Sequence, residues 1–182
     1  MKRVIIRSSL LLVTLCALGC AEVERTPVSP YDEARRYDMD QLMEAPYGFG
    51  IDMEKSKDGI HHLVVNMDLA EGAFFLSPHS SSGSKGRFSV TLDDNDLVIL
   101  DSMFTETPRS VQVFDSHRSV AGPVNRVKED TRYAYPLYVV SQDDFEVFGM
   151  ISFTIEPRCT FEQIPFTILQ RNGKLTVKTV GC

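Results

Sequence analysis

Ser82-Gly83-Ser84-Lys85 sets a serine three positions ahead of a lysine, the spacing with which a lysine one helical turn on activates a serine for acyl transfer. That chemistry needs a helix to bring the two side chains together, and the segment 79–86 is a Ser/Gly-rich loop. No S-D-N element accompanies it, and Lys178-Thr179-Val180 lacks the glycine of K-T-G. The glycine and lysine are also wrongly spaced for a phosphate-cradling loop. Of the four histidines, His61 and His62 are neighbours on a strand and leave opposite faces, while His79 and His117 fall in loops without metal-ligand spacing. Asp93, Asp94 and Asp96 lack the glycine and closing glutamate of a calcium loop and read as turn residues. No metal set, cofactor or catalytic residue is assigned. A hydrolase acting on an envelope polymer, the alternative function, needs a site assembled from His79, Ser81, Lys85 and His117 across separate loops.

The remaining chemistry is aromatic. Tyr133 and Tyr135 share one face of a strand at 132–140, Tyr138 takes the other, and Arg132 is adjacent. Pro136 has no amide hydrogen, which puts this strand at a sheet edge or a bulge. Arg132, Tyr133 and Tyr135 therefore form a candidate binding surface, where tyrosines stack on a sugar or anchor a peptide that adds a strand. The competing reading is ordinary cross-strand packing.

The elements that position these residues follow from the hydrophobic period. From Ile60 onward the period is two: Leu63, Val65, Met67 and Leu69 face one way, and His62, Asn66 and Asp68 the other. Ala73 opens a short apolar strand that ends before Pro78. A hairpin turning at Asp94-Asn95 sets Leu92 opposite Leu97 and Val90 opposite Ile99. The segment 105–109 reads as a loop, 110–114 as a short strand and 115–130 as a long polar connection. Phe145, Val147, Ile151, Phe153 and Ile155 line one strand face, with Gly149 in a slot that suggests a bulge or a close backbone approach. Asn172-Gly173 makes a hairpin pairing Ile168 with Val177 and Phe166 with Thr179. The fold class is all-β, a two-sheet antiparallel sandwich or flattened barrel of about eight or nine strands. It occupies residues 46–182, after a polar tether at 21–29 and a short helix at 30–45, which Ser29 caps and Pro30 begins.

Residues 1–20 carry Lys2, Arg3 and Arg7 ahead of an uncharged run that ends in small residues, the build of a secretory signal peptide. Leu15-Cys16-Ala17-Leu18-Gly19-Cys20 resembles a bacterial lipobox, the motif of envelope lipoproteins, in which a small residue precedes a cysteine that is acylated before cleavage. The resemblance covers only these residues and implies lipid attachment at Cys20, a membrane anchor and export to the cell envelope. Ala21, in place of Asp, implies the outer membrane if the cell is Gram-negative. An ordinary cleavage after Ala17-Leu18-Gly19 is the alternative, and leaves Cys20 as a thiol at the mature N-terminus.

Losing residues 1–20 removes three basic and no acidic side chains, so the mature chain holds 16 Lys and Arg against 25 Asp and Glu, net charge −9. Such a surface repels phosphate backbones, so nucleic acid is excluded as a partner. With Cys16 lost and Cys20 lipidated, Cys159 and Cys182 remain, and in an oxidising compartment an even pair forms a disulfide worth about 3 kcal/mol by chain entropy. A buried free thiol and a redox pair are the alternatives. The function expected is a non-catalytic binding or assembly module of the envelope whose partner is another envelope protein, peptide or glycan. A structural subunit of a larger envelope complex is a further alternative.

Overall fold

The computed structural model of this protein describes residues 44–81, 84–115 and 122–179. The signal segment, the tether and most of the expected helix at 30–45 lie outside the described residues. The described residues are all-β and form twelve strands, β1 (Tyr47–Lys55), β2 (His61–Leu69), β3 (Phe75–Leu76), β4 (Ser89–Leu92), β5 (Val98–Leu100), β6 (Thr105–Thr107), β7 (Val111–Asp115), β8 (Gly122–Val127), β9 (Thr131–Val139), β10 (Phe145–Ile155), β11 (Thr160–Arg171) and β12 (Lys174–Thr179).

They build a sandwich rather than a closed barrel. One sheet runs β1-β2-β9-β5, with β6 beside β9 further along, and the second runs β12-β11-β10-β4. A small third sheet, β3-β8-β7, joins them. All named strand pairs are antiparallel.

Period-two alternation explains which side chains go inward. On β10, Phe145, Val147, Ile151, Phe153 and Ile155 are all buried, as the sequence pattern predicts. Leu63, Val65 and Met67 of β2 join them in one core with Tyr133, Tyr135 and Leu137 of β9 and Phe166 and Ile168 of β11. Each such side chain contributes about 1.5–3 kcal/mol by leaving water. Phe88 lies between the two sheets, stacked on Tyr133 at 4.5 Å and 5.9 Å from Phe153. The Asn172-Gly173 hairpin has the expected register, Phe166 with Thr179 and Ile168 with Val177. Both turn residues are left-handed, φ 50° and 73°, as a two-residue hairpin loop requires.

Three expectations need correction. Residues 89–100 do not make a hairpin: β4 pairs with β10 and β5 pairs with β9, so two successive strands enter different sheets. The reason is local, since Asn95 Oδ1 accepts the amides of Leu97 at 3.1 Å and Val98 at 2.9 Å, and its Nδ2 donates to Asp93 O at 2.8 Å. The side chain thus replaces the cross-strand bonds of a hairpin turn and sends the chain across the mouth of the sandwich. The 105–109 loop contains β6, and the polar connection at 115–130 contains β8. β1 precedes the region read from Ile60 onward: two glycines dilute its strand signal, although Tyr47, Phe49, Ile51 and Met53 alternate and pack on the core.

Gly149 sits in β10 where an added Cβ would run into the Phe166 ring and come within 2.7 Å of the Thr91 carbonyl oxygen. The close approach that the sequence suggests is therefore present. Because one obstacle is backbone, it cannot rotate away. Gly149→Ala is expected to destabilise the domain by about 1–3 kcal/mol in urea unfolding. Gly50→Ala, whose Cβ meets nothing nearer than 3.9 Å, serves as the control and should change stability far less.

Candidate functional site

The loop residues that a hydrolytic site requires do not gather among the described residues. His79 stays exposed while its ring stacks on Phe104 at 4.6 Å with Nε2 3.9 Å from Glu106 Oε2. Ser81 is exposed and its hydroxyl meets that of Ser84 at 3.1 Å. Ser82, Gly83 and His117 lie outside the described residues, as do Cys20 and Cys182. Cys159 is exposed in the turn between β10 and β11, with φ 55°. No cluster of three or more His, Cys, Asp or Glu suited to a metal ion occurs among the described residues.

Tyr133 and Tyr135 do not form an exposed platform. The strand that carries them, β9, is central, paired with β2 on one side and with β5 and β6 on the other. Tyr133 is 0% and Tyr135 5% exposed, so the platform expected of Arg132, Tyr133 and Tyr135 is replaced by core packing. Arg132 alone reaches the outside, donating to Glu54 Oε2 at 2.7 Å. Pro136 is tolerated in a central strand because its backbone faces a gap. Its carbonyl accepts from Asp101 N at 2.9 Å, so its missing N–H points the same way, to where β5 ends before β6 begins.

Sequence reasoning did not single out Glu106, which β6 directs inward at 8% exposure. Its Oε1 accepts from Tyr133 Oη at 2.9 Å, and its Oε2 from Ser110 N at 2.9 Å and Ser110 Oγ at 2.7 Å. Burial by itself raises the carboxyl pKa, but hydrogen bonds from Ser77, Ser110 and Tyr133 outweigh it and hold the group below the ordinary carboxylate value. Burial, then the Glu106 charge, pushes the Tyr133 phenol far up. These hydroxyls point at the carboxylate, so none is poised as a nucleophile. The arrangement fastens β6, the 77–80 loop and β9 together.

A concave feature among the described residues lies beside that anchor. On one side the sandwich is closed, because β1 and β12 lie against each other. On the other, β4 and β5 end their respective sheets and flank a groove of about 630 Å³. Val90, Leu92, Val98, Leu100, Phe104 and Tyr135 supply apolar lining. Asp93, Asp94 and Asp101 contribute carboxylates, and Arg87 the one Lys or Arg side chain of the lining. The Asp93-Asp94-Asn95 turn reads locally as a hairpin, and nothing in it tells that its flanking strands pair with β10 and β9 instead.

The class defined so far is a strand-built sandwich with one closed and one open side. No protein-family model and no curated protein sequence matches the chain. Among solved structures it is similar to the N-terminal domain of Neisseria meningitidis DsbD in the reduced form, at 12% identity and TM-score 0.45, covering 72% of this chain and 89% of that chain. It is also similar to a structure of the complex between the DsbD and PilB N-terminal domains from Neisseria meningitidis, at 11% identity and TM-score 0.43, covering 73% and 89%. No residue role follows from either likeness.

The Glu106 cluster has a pH signature. A carboxylate whose folded pKa lies below its unfolded value of about 4.3 stabilises the fold fully above that range, and the contribution is lost as pH falls through the folded value. Glu106→Gln aims an amide N–H at the Ser110 donors. It is expected to cost roughly 2–3 kcal/mol at pH 7, with the deficit relative to the parent shrinking below about pH 4. Unfolding titrations at pH 7 and pH 3 check this, and an equal deficit at both would contradict it.

Proposed function

We propose that this protein is a lipid-anchored, non-catalytic binding module of the cell envelope, which holds a segment of another envelope protein in the groove between β4 and β5. The observation that carries this reading is the asymmetry of the sandwich: β1 and β12 close one side, whereas the β4/β5 side opens into a groove with an apolar lining and an acidic rim. A concave site with mixed apolar and polar walls is where a ligand gains most contact area.

Export and anchoring are supported by the signal-like residues 1–20 and by Gly19-Cys20. Acyl chains on Cys20 give the more-than-one-chain attachment that stable membrane binding needs, and Ala21 directs the protein to an outer membrane where one exists. The tether at 21–29 and the segment following it then separate the body from the bilayer. In that oxidising compartment Cys159 pairs with Cys182.

Two measurements on protein from intact cells test this. Mass spectrometry should find the mature N-terminus at an acylated Cys20 and no thiol free for alkylation at Cys159 without reduction. A photo-crosslinker at Ser102, which lines the groove, should form a defined adduct with an envelope protein, and one at Lys174 on β12, the edge of the second sheet opposite β4, should not. An unacylated Cys20 removes the anchor from the account. Adducts equal at both positions, or absent from Ser102, remove the groove.

A further inference from the structure

The groove has a second property, written in its backbone. Asp93 N donates to Phe148 O at 2.9 Å, so Asp93 and Thr91 turn their backbone groups toward β10. By the alternation of an antiparallel ladder, Val90 and Leu92 turn theirs the other way, into the groove. No strand of the second sheet follows β4 there, so these N–H and C=O groups face outward as a template for one more strand. The opposite wall is partly sealed: Val98 N already donates to Asn95 Oδ1 at 2.9 Å. The open edge is therefore that of β4.

Resting on the groove reading above, we infer that the occupant is an extended, cationic segment of a partner protein, which adds to β4 as an extra strand. Its main chain pairs with Val90 and Leu92, and its basic side chains reach Asp93 and Asp94. Backbone pairing supplies a sequence-tolerant part of the affinity, and alternate side chains enter the apolar lining. The charge of the rim selects the partner. Asp93 and Asp94 are exposed at the C-terminal end of β4, Asp101 lies across the groove, and among the described lining residues Arg87 alone carries the opposite charge. An acidic segment is repelled by this rim. A second copy of the chain brings the same rim within a mature net charge of −9, so a self-pair through β4 is disfavoured.

The probe is a heptapeptide alternating Lys and Val, titrated against the full chain in detergent, with amide exchange read residue by residue. Three companions are a Glu/Val heptapeptide, a Thr/Val heptapeptide and the Lys/Val peptide N-methylated at alternate amides. The expected result is slowed exchange at Val90 and Leu92 with Lys/Val, binding roughly 10-fold tighter than Thr/Val, and none with Glu/Val. Affinity should fall several-fold on raising salt from about 50 to 200 mM. Asp93→Asn with Asp94→Asn should weaken Lys/Val by about 3- to 10-fold while leaving Thr/Val unchanged.

Equal binding of the N-methylated peptide, or equal binding of Thr/Val, overturns the strand-adding cationic occupant while the groove reading stands, provided the protected residues line the groove. Protection confined to residues outside the groove overturns both. Protection of Val90 and Leu92 that rises with protein concentration and no peptide assigns the edge to a second copy and overturns the inference.

Discussion

The open side of the sandwich depends on a turn that one asparagine side chain holds. By accepting two amides and donating to a carbonyl within five residues, Asn95 makes the chain turn without the cross-strand bonds of a hairpin. Its neighbours can then enter different sheets, β4 against β10 and β5 against β9. Had the two paired with each other, they would have made one ribbon and covered the mouth. Instead each ends a sheet, and the space between them becomes the groove.

Two other features keep that mouth in shape. Phe88, just before β4, stacks on Tyr133 of the opposing sheet, so the start of the groove wall is held by the aromatic core. Glu106, just after Phe104 in the groove lining, draws Ser110 and Tyr133 onto a buried carboxylate. A buried charge is tolerable only when hydrogen-bonded in this way, and the cluster in turn restrains the strand that carries it. Core packing and polar network thus meet at the edge where a partner is proposed to dock.

The strands with the strongest alternation were legible from the sequence: β2, β10 and the β11-β12 hairpin, where side-chain period and turn chemistry agree. Less legible was anything decided by distant partners. Pro136 marks a gap in pairing, and a local reading has no means of distinguishing a sheet edge from a break between β5 and β6. Tyr133 and Tyr135 read as an exposed face because alternation tells which residues share a face, not which face is covered. Glu106 carries no local signal at all, since a lone glutamate between two threonines looks like a solvated strand residue until Ser77, Ser110 and Tyr133 close around it. The groove is of the same kind, a product of where β4 and β5 find partners.

The central claim is that β4 has a free edge. Backbone amide exchange of the isolated protein, resolved by residue, tests it without any ligand. Thr91, turned toward β10, should exchange far more slowly than Val90 and Leu92, which face the groove. Uniformly strong protection along 89–92 would mean that the edge is already paired and that no open groove exists.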